Sequence, residues 1–251
     1  VSNTGVVIGD ITTAPPVYRL ERFSHAPVVD AGRFADQPSR LLDARSGIVP
    51  FDGREDELAA LADWRDADAA PLSALLLHGP GGQGKSRLAA RFAELSAAAG
   101  WEVAQARHGA APEPPGETPV RGGSRGLLVV VDYADRWAHP ELVELLRDPL
   151  LAGPAVRVLL IGRTVQWWAA LRGELRSIGA DVGDLPLGEF AGTLPDRERA
   201  FAAARDRFGA VLGVTEPITE TACGLDGHAY GQVLTLHMAA LVAALTARHP
   251  G

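Results

Sequence analysis

The sequence predicts an α/β fold: a three-layer sandwich built on a mostly parallel central sheet, followed by a small helical domain. Three observations predict it. Between about residues 56 and 187, short apolar runs alternate with stretches of helical periodicity, the pattern of repeated strand–helix–strand units. A glycine-rich octapeptide, Gly79 to Ser86, separates the first of these runs from the helix after it. Beyond Phe190 the alternation stops and only helical patterns remain.

Residues 1–46 show scattered Val and Ile, the Pro15-Pro16 pair and no sustained period, so an extended N-terminal arm is expected, with a short strand at Gly5 to Ile11. Residues 47–190 form the main domain. Leu58, Leu61, Ala62 and Trp64 place apolar groups on one face of a helix that follows Gly53 and Arg54. Ala74 to Leu77 is a buried strand, and Lys85 to about Ala99 is a helix with Leu88, Ala89, Phe92 and Leu95 turned inward. Trp101 to Ala106 supplies a second strand. Gly109 to Arg125, rich in Pro and Gly, is a loop. Leu127 to Val131 is continuous and β-branched, as a central parallel strand should be. Pro140 opens a helix through Leu142, Leu145 and Leu146; Val156 to Ile161 is the next strand, then a helix from Val165 to Leu175 and a short strand near Asp184 to Leu187. In the lid-like helical domain, residues 191–251, Thr193 caps a helix with Pro195 in its first turn, running to about Leu212, and Tyr230 to Arg248 is a long apolar helix.

Composition narrows the function. A net charge of −7 opposes a surface built to neutralise nucleic acid or an anionic membrane, and no basic run supplies a local exception. The apolar runs fall far short of the ~20 residues needed to span a bilayer. One cysteine, Cys223, excludes an internal disulfide framework and reads as a small core residue; with no signal-peptide pattern at the N-terminus, a cytoplasmic setting is expected. Lys85 is the only Lys in the chain against 23 Arg. A compact ammonium kept at one position points to a task that a planar guanidinium does poorly.

That task is phosphate coordination. Gly79-Pro80-Gly81-Gly82-Gln83-Gly84-Lys85-Ser86 matches the whole P-loop pattern G-x-x-x-x-G-K-[ST], with the required strand before it and helix after it. The fold class is thereby a P-loop sandwich. Glycines let the backbone N–H groups wrap a polyphosphate, and the helix adds the positive end of its dipole. Lys85 reaches the β- and γ-phosphates, Ser86 ligates Mg²⁺, and Arg87 is placed in the same binding set. Asp132, ending the strand Leu127 to Val131, is the candidate second magnesium group. Asp135 is either the group that orients or deprotonates the attacking water or a solvated capping residue. Arg163, just beyond the strand Val156 to Ile161, is either a γ-phosphate sensor or one more surface Arg. Trp167-Trp168 reads as helix-to-sheet packing, and His78 as a strand-end residue. No Cys/His spacing suggests zinc, and no Asn/Thr-Lys-x-Asp guanine-reading element exists in a chain whose one Lys lies in the P-loop.

With these residues in view, the chain resembles the STAND class of signal-transduction ATPases, which includes the NACHT and NB-ARC switches. Val49-Pro50-Phe51-Asp52-Gly53-Arg54-Glu55 is similar to the segment that in this class precedes the P-loop and lies against adenine, which implies that Phe51, Gly53 and Arg54 belong to the nucleotide site. Asp132-Tyr133-Ala134-Asp135 resembles the NACHT strand-end motif, and Val158 to Thr164 the sensor strand ending in Arg. Two departures stand out. Arg136 occupies a position that is acidic in NACHT proteins, which argues against efficient hydrolysis, and Gly231-Gln232-Val233 replaces the usual Gly-x-Pro. The resemblance implies an ATP/ADP- and Mg²⁺-dependent conformational switch that hydrolyses slowly, signals to an effector or sensor domain or protein, and self-associates in response to nucleotide. The rival expectations are a turnover ATPase or phosphotransferase, and a degenerate module serving as an assembly platform.

Overall fold

The computed structural model describes residues 18–24, 37–44, 47–68, 70–109, 124–148, 151–153, 155–189, 193–219 and 224–248. The expected strand at Gly5 to Ile11, most of the Pro/Gly-rich loop and Cys223 lie outside these residues. The described strands are β1 (Tyr18–Arg22), β2 (Leu72–His78), β3 (Glu102–His108), β4 (Leu127–Val131), β5 (Val156–Gly162) and β6 (Asp181–Pro186). They form one sheet in the order β1-β3-β4-β5-β2-β6. All neighbours are parallel except β1, which pairs antiparallel with β3 along one edge.

Side-chain alternation along the central strands builds a separate core on each face of the sheet. On β4 and β5, Val129, Val131, Val158 and Leu160 point to one core, with Leu142 and Leu145 of α3 (His139–Leu146) and Trp168 and Leu171 of α4 (Trp168–Ser177). Leu128, Val130, Leu159 and Ile161 point to the other, with Leu61 of α1 (Glu55–Asp66) and Leu88 and Phe92 of α2 (Lys85–Ala98). Helices on both faces explain why β4 and β5 are buried along their full length. The expected three-layer α/β architecture is present.

Two details differ from expectation, and a third, at Arg157, was not read from the sequence. Tyr18–Arg22, within the segment read as an arm, is an edge strand; its partner β3 lies some eighty residues away, beyond the reach of local periodicity. Leu95 is 38% exposed rather than inward, because it sits roughly a quarter turn from the line of Leu88, Phe92 and Ser96 on α2. Arg157 interrupts the apolar run of β5 and is only 3% exposed. Its guanidinium donates to the carbonyls of Arg65 (3.0 Å) and Ala67 (2.9 Å), closing the C-terminal end of α1, where helical carbonyls have no partner within the helix.

The C-terminal part is helical. It contains α5 (Leu194–Leu212) and α6 (Val233–Arg248), preceded by a short 3-10 turn at His228–Gly231. Thr193 caps α5 as expected: its N–H donates to the Asp196 carboxylate at 2.9 Å. Phe201, Ala204 and Phe208 of α5 pack against Leu236, Ala240 and Ala244 of α6, and Leu41 and Val49, from before the P-loop, complete this third core. No helix among the described residues is long and apolar enough to cross a membrane.

Candidate functional site

The octapeptide forms a tight loop between β2 and the 14-residue helix α2. Gly82 and Gly84 hold φ of +81° and +86°, where a side chain is strained, and a Cβ at Gly79 would stand 2.5 Å from the Leu187 carbonyl oxygen. The loop thus requires glycine at these points to deliver the chain to the N-terminus of α2, whose first N–H groups have no helical partners and carry the positive end of the dipole. Lys85 is 8% exposed, and its Nζ folds back over the loop to donate to the carbonyls of Gly79 (2.5 Å) and Pro80 (2.7 Å). Burial pushes its pKa below the usual lysine value and Arg163 acts the same way, while Asp135 and Asp132 oppose them.

In the parallel register the ends of β2, β5 and β4 reach one edge of the sheet. Asp132 leaves β4 there, its Oδ1 accepting the N–H of Tyr133 at 2.9 Å. Tyr133 is left-handed, φ 57°, and this turns the chain into the short 3-10 turn that carries Asp135. Asp135 Oδ2 accepts the backbone N–H of Arg163 at 2.9 Å; its Oδ1 is buried with no hydrogen-bond partner among the described residues. The Arg163 guanidinium lies 3.9 Å from where a Cβ on Gly81 would stand. Lys85, Ser86, Asp132, Asp135 and Arg163 all line one cavity of about 550 Å³ over the loop.

A second, smaller cavity of about 280 Å³ has a mainly apolar wall that includes Val49, Pro50, Phe51, Ala200, Ala203 and Leu236, with Arg54 and Gln83 also on it. Gly53 and Arg54 have positive φ and turn the chain into α1. Arg54 donates to Glu57 (2.7 Å), to the Gly188 carbonyl (3.0 Å) and to the Gln83 carbonyl (3.5 Å), tying this segment to the P-loop and to the chain after β6. Arg87 donates to the Val49 carbonyl, and burial lowers its pKa. Trp168 is buried against the sheet as expected, and His78 sits 3.3 Å from Asp184 at the end of the strand pair.

Two elements of the site come from α6, and sequence reading missed both. The N–H of Leu234 donates to the Gly82 carbonyl at 3.0 Å, so the helical part touches the P-loop directly. His237 lines both cavities and packs edge-on against Phe208, with ring centroids 6.2 Å apart. Burial, helped by the nearby Arg87 cation, holds its pKa down at about 4. Its ordinary pKa lies at about 6.5, so between pH 6.5 and 4 the unfolded chain binds the proton that the folded chain refuses. Stability therefore falls as pH drops through that window, by about 2–3 kcal/mol at pH 4.5 relative to pH 7. Urea unfolding at the two pH values, compared with His237→Phe, isolates this share: the variant should lose that much less on acidification.

Ser86 and Asp132 suit a magnesium ion. Mg²⁺ takes one or two protein oxygens and completes its shell with phosphate oxygens and water, so a hydroxyl and a carboxylate on the wall of one cavity fit such an ion. Among the described residues no cluster of three or more His, Cys, Asp or Glu could cage an ion by itself.

No protein-family profile matches the sequence, and no curated protein matches it. Among solved structures the chain is similar to the Aeropyrum pernix ORC2 protein, solved as ADPNP–ADP complexes, with 17% identity and a TM-score of 0.46 over 80% of this chain and 64% of that one. It is also similar to a chain of the E. coli MS115-1 HORMA:CdnC:Trip13 complex, with 14% identity and a TM-score of 0.37 over 88% and 93%. The chain spans less than two thirds of the length of the ORC2 chain.

Proposed function

We propose that this chain is an ATP- and magnesium-binding module that acts as a nucleotide-dependent conformational switch with slow hydrolysis, in the manner of the STAND-class ATPases it resembles. One observation carries the reading: the solitary ammonium group, the P-loop hydroxyl, two carboxylates and an Arg converge on one cavity over the loop. In this reading the triphosphate lies on the loop amides, Lys85 and Arg163 meet the β- and γ-phosphates, and Ser86 and Asp132 hold the magnesium, whose role is to neutralise charge on the phosphate oxygens. The base and sugar extend toward the apolar cavity beside Phe51. Asp135 faces the γ-phosphate end and accepts a proton from, or orients, the attacking water.

Switching needs a contact that exists with one nucleotide and not with the other. Arg163 and the α6 helix at Gly82 flank the loop, and they are the groups through which loss of the γ-phosphate changes the standing of the helical part. Titration calorimetry with ATP and ADP, alongside phosphate release by the same preparation, tests the proposal. The expected result is tight binding of both nucleotides, a measurable difference between them, and turnover below about one per minute. Steady turnover well above that, or phosphate transferred to a small acceptor, would instead make this an enzyme of the turnover class, the reading favoured by the unpartnered Oδ1 of Asp135.

A further inference from the structure

His237 belongs to no motif, yet it stands where the two cavities meet. Five residues line both of them: Val49, Gly84, Arg87, Val233 and His237. A nucleotide with its phosphates on the loop and its base in the apolar cavity must pass its ribose through that junction. Only two of the five carry a polar side chain. The Arg87 guanidinium is engaged with the Val49 carbonyl, whereas the imidazole nitrogens of His237 have no hydrogen-bond partner among the described residues. From this we infer that His237 is the sugar-reading residue of the site, hydrogen-bonding a ribose hydroxyl from the helical side; the inference rests on the nucleotide reading above.

The chemistry fits a hydroxyl better than a phosphate. A neutral imidazole offers one donor and one acceptor, matching a group that both donates and accepts. Arg87 faces the ring from α2, Phe208 supports it from α5, Arg40 and Asp43 share the phosphate-side wall, and Asp52 and Arg54 share the base-side wall. With a cation beside it and the ring partly buried, it stays neutral at physiological pH, so it does not serve as an anion clamp. Since α6 also donates the Leu234 N–H to Gly82, a bond from His237 to the sugar joins the ligand to the helical part at a second point.

Titration calorimetry with MgATP and with its 2′,3′-dideoxy counterpart, on the full chain and on His237→Phe and His237→Gln, tests this. The wild type should bind the dideoxy nucleotide about tenfold more weakly than ATP, the loss of one neutral hydrogen bond. His237→Phe, which keeps the edge contact with Phe208, should lose about tenfold for ATP and then bind the two nucleotides alike. His237→Gln, which retains a donor and an acceptor, should restore part of the discrimination. Equal wild-type affinity for the two nucleotides overturns the assignment with no variant needed, and so does a His237→Phe protein that discriminates as the wild type does. If the wild type binds neither nucleotide, the nucleotide reading falls and this inference falls with it.

Discussion

Lys85→Ala is expected to abolish ATP binding, lowering affinity at least a hundredfold, while the protein still folds. The ammonium is the only Lys of the chain and sits buried over the loop, so no neighbouring Lys replaces it. A charge-assisted hydrogen bond to a phosphate oxygen is worth about 1.5–3 kcal/mol, and a cation bridging two phosphates makes more than one. The cost to folding is small. In the structure Nζ bonds the carbonyls of Gly79 and Pro80, so truncation gives up these two bonds but also relieves the burial that lowers the lysine pKa. The stability change should stay within about 1–2 kcal/mol. Calorimetry with ATP and a urea melt of the same sample decide it: unchanged affinity in a folded variant defeats the nucleotide reading.

Asp135→Asn should slow hydrolysis by about a hundredfold or more while leaving ATP affinity within a few-fold of wild type. Removing a positioned base forfeits 10²–10⁴ in rate. The substitution is informative because Asp135 has two separable roles in the structure. One oxygen accepts the Arg163 N–H, and an Asn oxygen can do the same; the other oxygen is unpartnered, and only a carboxylate can take a proton there. Single-turnover phosphate release separates them. A variant that hydrolyses at the wild-type rate would reduce Asp135 to an anchor for the backbone after β5.

The P-loop was legible in the sequence because its physics is local: consecutive residues, glycines at the turns, a strand before and a helix after. The placement of Asp132 and Arg163 was legible for a related reason, since the residue that follows a buried parallel strand emerges at the sheet edge from which the loop Gly79 to Ser86 also starts. What stayed hidden depends on contacts between distant segments. Nothing near Tyr18 announces that it pairs with β3, and nothing near Leu41 or Val49 announces that they fill the core of a helical unit beginning at residue 194. Nothing in the run Val156 to Ile161 announces the carbonyls at the end of α1 that Arg157 binds. His237 and the Leu234 N–H reach the site only because α6 is laid across the loop, a placement that a long apolar helix with no clear polar face does not specify.

The burial of Leu41 and Val49 among the helices of the C-terminal part bears on mechanics. Because of it, the polypeptide passes between the two units both at Val49 to α1 and at Leu187 to α5. A body tethered at two points is not free to drift or slide away. It can swing about the line through its tethers, so the nucleotide-driven opening proposed above would be a hinge-like swing of the helical part and not a separation of the two units.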